Sequence, residues 1–160
     1  FLEKINPNIS VEAIEDKLDI NSMKKIAMDV DVIIDCSDNF STRYALNQIA
    51  YDLKKPLVSG AAIKFEGQLS VFDLTSEVSP CYECLFPDAK DEQELRCADH
   101  GVFSPLVGMI GTAQAAETIK ILLSIGSPLV GKLATLDIKT MRWQTFIVKK
   151  DPHCKVCGTH

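Results

Sequence analysis

Two Cys-x-x-Cys pairs, Cys81/Cys84 in "SPCYECLFPD" and Cys154/Cys157 in "DPHCKVCGTH", constrain this chain more than any other feature. That spacing lets two thiolates from one turn reach a single tetrahedral ion, and two such pairs fill a four-ligand zinc shell with no position left open for chemistry. A chain stapled in this way brings its last ten residues back to a mid-chain loop. Metal binding must then offset the entropy of closing a long loop. The competing readings are two disulfides or a redox dithiol. No secretory segment is present, which disfavours an oxidised framework. A redox pair opens a helix after a strand, a placement that neither pair shows in the sequence pattern. Structural zinc is the favoured reading; His153 and His160 are spare donors that an all-cysteine site does not need.

The 160 residues suit one domain over 1–160, and 46% apolar with 24% charged residues is the balance of a globular core and surface. A net charge of −5 argues against a nucleic-acid-binding surface. No apolar run reads as long as the roughly 18–20 residues that cross a bilayer, so no membrane partner is expected and the location reads as cytoplasmic. No internal repeat is present. The opening "FLEKINPNIS" has no initiator Met and reads as the interior of a longer sequence.

Along the chain, "VDVIIDCSDN" (30–39) is a β-branched apolar run ending in turn residues, the pattern of a buried parallel strand. In "FSTRYALNQIAYDLKK" (40–55), Tyr44, Ala45, Ile49 and Leu53 recur at helical spacing, with Asn39 or Ser41 as cap. Pro56 ends that helix and "PLVSGAA" opens a second strand, completing a βαβ unit. "GQLSVFDL" (67–74) alternates as a partly exposed strand; between 75 and 103 no periodicity persists, and "DAKDEQELRCADHG" reads as a charged loop. Residues 104–126 predict a core helix, with Ser104 as cap, Pro105 in the first turn and Gly126 past the end. Its internal Gly108 and Gly111 suggest close backbone packing. "GKLATLDI" and "RWQTFIVK", separated by "KTM", predict an antiparallel hairpin.

Three further side chains are candidates for chemistry. Cys36, closing an apolar strand, reads as a small buried hydrophobe. Cys97 lies in the charged loop between Arg96 and His100, where cations would favour its nucleophilic thiolate, although Asp91, Glu92, Glu94 and Asp99 oppose them. Asp38 sits at the carboxyl end of the first strand, where open α/β sheets bind ligands. It is a candidate for Mg2+ or nucleotide contacts, or equally an Asx turn or helix cap.

The motifs "DVIIDCSDNFSTRYALN", "PLVSGAAIKFEGQLSVF", "PCYECLFPD", "RCADHGVFSPLVGMIGTAQAAETIK" and "CKVCG" occur in an order that resembles the ThiF/MoeB/HesA adenylyltransferases, bacterial relatives of ubiquitin-activating enzymes. The resemblance implies the C-terminal two thirds of such an enzyme. Its expected fold is α/β and Rossmann-like: a mixed sheet with a C-terminal antiparallel hairpin and a zinc knuckle, the N-terminal nucleotide-binding half missing. It implies ATP·Mg2+-dependent adenylation of the C-terminal glycine of a small ubiquitin-like sulfur-carrier protein, in thiamine or molybdopterin synthesis, by a homodimer. By motif, Asp38 matches the aspartate that helps hold Mg2+ and ATP, and Asn39 and Arg43 organise the same turn. Cys81, Cys84, Cys154 and Cys157 match the structural zinc ligands. Cys97 matches the loop cysteine that handles sulfur or links to the carrier in ThiF-type members and is dispensable in MoeB-type ones. No Gly-x-Gly-x-x-Gly phosphate loop occurs in these residues, so the polypeptide is not expected to adenylate by itself. The alternative is a non-catalytic, zinc-stapled module that binds ubiquitin-like proteins. Half of a nicotinamide-dependent oxidoreductase is the weakest reading, since it leaves the cysteine pairs unexplained.

Overall fold

The computed structural model describes residues 1–87 and 101–159. Among them, five strands form one sheet in the order β1-β2-β3-β4-β5. The strands are β1 (Ile33–Asp35), β2 (Pro56–Ile63), β3 (Glu66–Asp73), β4 (Lys132–Asp137) and β5 (Arg142–Ile147). β1 and β2 run parallel, with Ile33 opposite Leu57; the remaining pairs are antiparallel. Two short helices precede the sheet, α1 (Leu2–Ile5) and α2 (Ile20–Ala27). Within it come α3 (Phe40–Leu53), the single turn α4 (Tyr82–Leu85) and α5 (Ser104–Leu123).

The expected βαβ unit is present as β1–α3–β2. Asn39 is the cap of α3: its Oδ1 accepts from Thr42 N at 2.8 Å, and Ser41 only donates to that same oxygen. At the other end Lys54 adopts φ +52°, and its successor's N–H returns to Ala50 O, so the helix has closed before Pro56 starts β2. The expected C-terminal hairpin is also present, as β4 and β5.

Side-chain alternation divides the sheet into two faces. Leu57 and Phe72, opposite each other in the β2–β3 ladder, face α3 and pack with Ile49, Ala50 and Tyr82. Their neighbours Val58 and Val71 face α5, together with Leu69 and Ala134. β3 is therefore buried along most of its length, not partly exposed as its polar residues suggested, because both faces are covered there.

α5 departs from expectation in four ways. Its twenty residues are long and apolar enough to cross a bilayer, against the reading that no such run exists. It lies on the sheet through one face only, Leu106, Ile110, Gln114 and Glu117; Val107, Ile119, Leu122 and Leu123 meet solvent. Its uniform apolarity hid which side is buried. Second, Ser104 makes no side-chain cap; Phe103 precedes the helix and Pro105 supplies the fixed first turn. Third, open space surrounds Gly108 and Gly111. The glycines that permit close approach belong to the sheet: a Cβ on Gly67 would stand 2.6 Å from Ile110 Cδ1, and one on Gly60 would enter the Gln114 carboxamide. Fourth, the helix ends at Ser124 in the left-handed region (φ +52°), two residues before Gly126.

Candidate functional site

Cys81 and Cys84 come from either end of the α4 turn, and Cys154 and Cys157 from the turn after β5. Their four Sγ atoms lie within 4.8 Å of one another. Individual pairs are 4.0 Å (Cys81–Cys84), 3.6 Å (Cys81–Cys154) and 3.4 Å (Cys84–Cys157) apart. Sulfurs at about 2.3 Å from a tetrahedral ion stand about 3.8 Å from each other, so the spacing brackets the value that zinc requires. A disulfide needs about 2.05 Å, and all four are free thiols. Cys81 does open a helical turn, contrary to expectation, but its partner sulfurs come from the other pair as much as from its own.

Electrostatics point the same way. Burial pushes the Cys81 thiol up to about 12, and burial with the neighbouring sulfurs raises Cys157 as well. Burial also opposes ionisation of Cys154, but backbone N–H groups of Cys157 and Val156 outweigh it and lower that pKa. A divalent ion between the sulfurs would favour thiolates where burial holds Cys81 and Cys157 neutral. Asp151 N donates to Cys84 Sγ at 3.4 Å, a further preparation for thiolate charge. His153 is exposed and its backbone N–H serves an Asx turn with Asp151, so among the described residues the cluster is all-sulfur. The arrangement can hold a metal ion such as zinc in a closed shell. His160 lies outside the described residues.

At the carboxyl end of β1 the chain turns sharply into α3. Asp38 is exposed there, with its Oδ1 3.3 Å from Asn39 Nδ2. Arg43 reaches back from the first turn of α3 and donates from Nη2 to Ser37 O at 2.9 Å. The turn is organised by a residue that sequence reasoning missed, Asp35, which is 1% exposed. Its Oδ1 accepts from Ser37 N (2.9 Å) and Ser37 Oγ (2.6 Å), its Oδ2 from Ser59 Oγ (3.0 Å), and Arg43 Nε lies 3.9 Å away. A carboxylate ending an apolar run, with Ser two residues on and Arg eight residues on, was the available signal. Cys36 is exposed rather than buried, since the strand has already ended at Asp35. Its sulfur turns back toward Gln114 Oε1 at 3.5 Å; partial cover of the sulfur, and then the Asp35 carboxylate, raise its pKa. Cys97 and His100 lie outside the described residues.

Beside this turn, Arg43, Ser59, Ala61, Gln68, Ser70 and Phe86 line a shallow groove on the α3 face of the sheet. Tyr82, at the groove's inner wall, is edge-on to Tyr44 (5.6 Å) and Phe72 (6.0 Å), so aromatic packing joins the groove to the thiol cluster.

A mixed sheet with a βαβ start and a four-thiol staple between mid-chain and tail defines an α/β domain clamped by its own C-terminal segment. The ThiF family model matches residues 1–156, and the chain belongs to the ThiF family. It is 41% identical over 161 residues to the sulfur carrier protein adenylyltransferase of Thermus thermophilus, covering 98% of this chain and 59% of that protein. It is 40% identical over 157 residues to the molybdopterin-synthase adenylyltransferase of Salmonella typhimurium, covering 98% and 62%. Against the sulfur carrier protein ThiS adenylyltransferase of Escherichia coli it is 38% identical over 157 residues, covering 98% and 61%. The chain thus spans about six tenths of the length of these relatives. Among solved structures, Escherichia coli MccB shares the fold, with a TM-score of 0.81 at 20% identity over 99% of this chain and 48% of that one.

Proposed function

We propose that this chain is the strand-end and zinc-knuckle part of an enzyme that adenylates the C-terminal carboxylate of a small ubiquitin-like sulfur-carrier protein. The observation that carries the reading is the close similarity, across nearly the whole chain, to relatives named for that activity, with "DCSDN" at the carboxyl end of β1. A carboxylate is a poor electrophile. Its oxygen attacks the α-phosphorus of ATP, pyrophosphate leaves, and the acyl-adenylate so formed carries a good leaving group.

In this proposal Asp38 contributes to holding Mg2+, whose charge supports the phosphates when bound. Asn39 fixes the start of α3, and Arg43 braces the turn through Ser37 and Asp35. Cys97 handles sulfur or links to the carrier after adenylation. The zinc held by Cys81, Cys84, Cys154 and Cys157 is structural. A cytoplasmic location and homodimeric assembly belong to the same proposal, as does the inactivity of these 160 residues alone, which is supported by their having no Gly-x-Gly-x-x-Gly run.

The test is carrier-dependent ATP–pyrophosphate exchange, run in parallel with a thiamine-type and a molybdopterin-type carrier. The full-length protein is expected to exchange with one of them, and Asp38→Ala to lower exchange by about 10²–10³-fold. Cys97→Ser is expected to leave exchange intact while abolishing sulfur transfer. Normal exchange by Asp38→Ala would overturn its assignment. Carrier binding without exchange by the full-length protein would favour a non-catalytic binding module.

A further inference from the structure

The buried face of α5 starts as an apolar stripe, Leu106 and Ile110, and continues as two polar side chains, Gln114 and Glu117. An amide as buried as Gln114 costs stability unless its groups are bonded. Both ends are engaged. Nε2 donates to Asp35 O at 2.8 Å and to Val58 O at 3.4 Å, and Oε1 accepts from Cys36 Sγ at 3.5 Å. The reversed amide would set its oxygen against two carbonyls, which fixes the orientation. Gly60 makes the room, because a Cβ there would enter the carboxamide. These contacts converge on one place. Asp35 is the last residue of β1, Cys36 opens the turn, and Asp38 follows two residues later. The Asp35 carboxylate is held by Ser37 and by Ser59 of β2, with Arg43 of α3 nearby, while α5 holds its carbonyl. The turn therefore starts from a residue gripped by both helix layers. Glu117, also buried, bonds to Leu129 N and Lys120 instead and has no printed contact with that turn.

We propose that Gln114 is a positioning residue for the strand-end turn: by clamping the last carbonyl of β1 and the Cys36 thiol, it sets where Asp38 stands. Gln114 is sealed inside the fold and acts through Asp35 and Cys36. Its effect on the reaction is the effect of moving Asp38, and a shift of about 1 Å at such a group can cost about 100-fold in rate. The inference rests on the adenylation reading and on the role given there to Asp38. It adds that α5, through one carboxamide, governs the geometry of a turn carried by β1 and α3.

The test uses the full-length protein. Gln114→Met keeps the length of the side chain and removes both donor and acceptor; its kcat in carrier-dependent exchange is expected to fall about 10–100-fold. Because Gln114 acts through Asp38, the double variant with Asp38→Ala is expected to exchange no more slowly than Asp38→Ala alone. Glu117→Gln, a substitution at the other buried polar anchor of α5, is expected to keep parental exchange. Parental exchange by Gln114→Met beside an impaired Asp38→Ala overturns the inference and leaves the adenylation reading standing. So do losses that multiply in the double variant, or an equal loss in Glu117→Gln, which would mean a general loosening of α5. Parental exchange by Asp38→Ala overturns the role of Asp38 and this inference with it. Should Gln114→Met fail to fold, Gly60→Ala, which displaces the carboxamide without removing it, is expected to show the same fall and the same non-additivity. Amide hydrogen exchange of the peptide 35–40 reads the clamp without the reaction: about 10-fold faster exchange is expected in Gln114→Met and none in Glu117→Gln, and parental protection in Gln114→Met overturns the inference.

Discussion

On the α3 side of the sheet, Leu57, Phe72, Ile49 and Asn47 keep no more than 1% of their surface, whereas every residue of β5 and the outer side of α5 meet solvent. The buried side is closed by three devices acting together: an apolar layer, an aromatic chain from Tyr44 through Tyr82 to Phe72, and the thiol cluster beneath. The α5 side relies on one helix, and that helix shows Val107, Ile119, Leu122 and Leu123 to water. Sequence hydrophobicity does not separate the two; if anything α5 is the more apolar element. Burial follows from what each element is packed against, and the polar residues Gln114 and Glu117 seat α5. Gln114 Nε2 donates to Asp35 O at 2.8 Å, and Glu117 accepts from Leu129 N at 2.8 Å.

The comparison breaks most visibly at the metal. About one zinc per chain is expected by elemental analysis. Chelation or Cys154→Ser is expected to abolish cooperative thermal unfolding, because structural zinc contributes on the order of 10 kcal/mol or more. A metal-free chain melting like the loaded one would sink the closure argument. Next in size is a pair of truncations followed in urea. Phe72→Ala, at a fully buried site, is expected to cost about 3–5 kcal/mol. Phe146→Ala, half exposed on β5, is expected to cost under about 1 kcal/mol. Equal losses would mean that the two regions are not differently closed.

A glycine pair sharpens the contrast further. Gly60→Ala would drive a methyl group into the Gln114 carboxamide, which the Asp35 carbonyl pins in place, and is expected to cost about 1–3 kcal/mol. Gly108→Ala, in open space on the outer side of α5, is expected to stabilise by about 0.5–1 kcal/mol. The smallest effect concerns the Lys24–Asp52 pair between α2 and α3. The hydrogen bond from Lys24, helped by Gln48, holds the Asp52 carboxyl below its ordinary 3.8. The native state therefore binds that proton less readily than the unfolded chain. The contribution is complete above 3.8 and is lost as pH falls through the lower native value. Asp52 is partly exposed, so acid titration of stability should differ between parent and Asp52→Asn by under about 1 kcal/mol.

What could be read beforehand divides along physical lines. The βαβ unit, the Asn39 cap, the hairpin and the thiol cluster were legible because each is a local pattern or a ligand spacing. The buried side of α5 was not, since an almost uniformly apolar helix carries no mark of its inner face. Gly60 and Gly67 escaped notice because the demand for a missing Cβ comes from the opposing helix and not from their own strand. α2 was overlooked although Asp19 caps it through Ser22 N at 2.8 Å; eight residues gave too short a window for periodicity. Cys36 was misplaced by one residue of strand length, enough to move it from core to surface. Asp35 was hidden inside an apolar run, and its partners Ser59 and Arg43 come from elements that only the fold brings together.

The distance along the chain between the two thiol pairs carries a consequence in time. Cys81 and Cys154 are 73 residues apart, and all of α5, β4 and β5 lie between them. During synthesis the first pair leaves the ribosome with half a coordination shell and must wait while those elements emerge. Until the second pair arrives, an ion can bind only two sulfurs, and the tail cannot be clamped beneath Tyr82. The four-sulfur cluster can therefore be completed only after the β4–β5 segment and the tail have been made and brought back to the α4 turn.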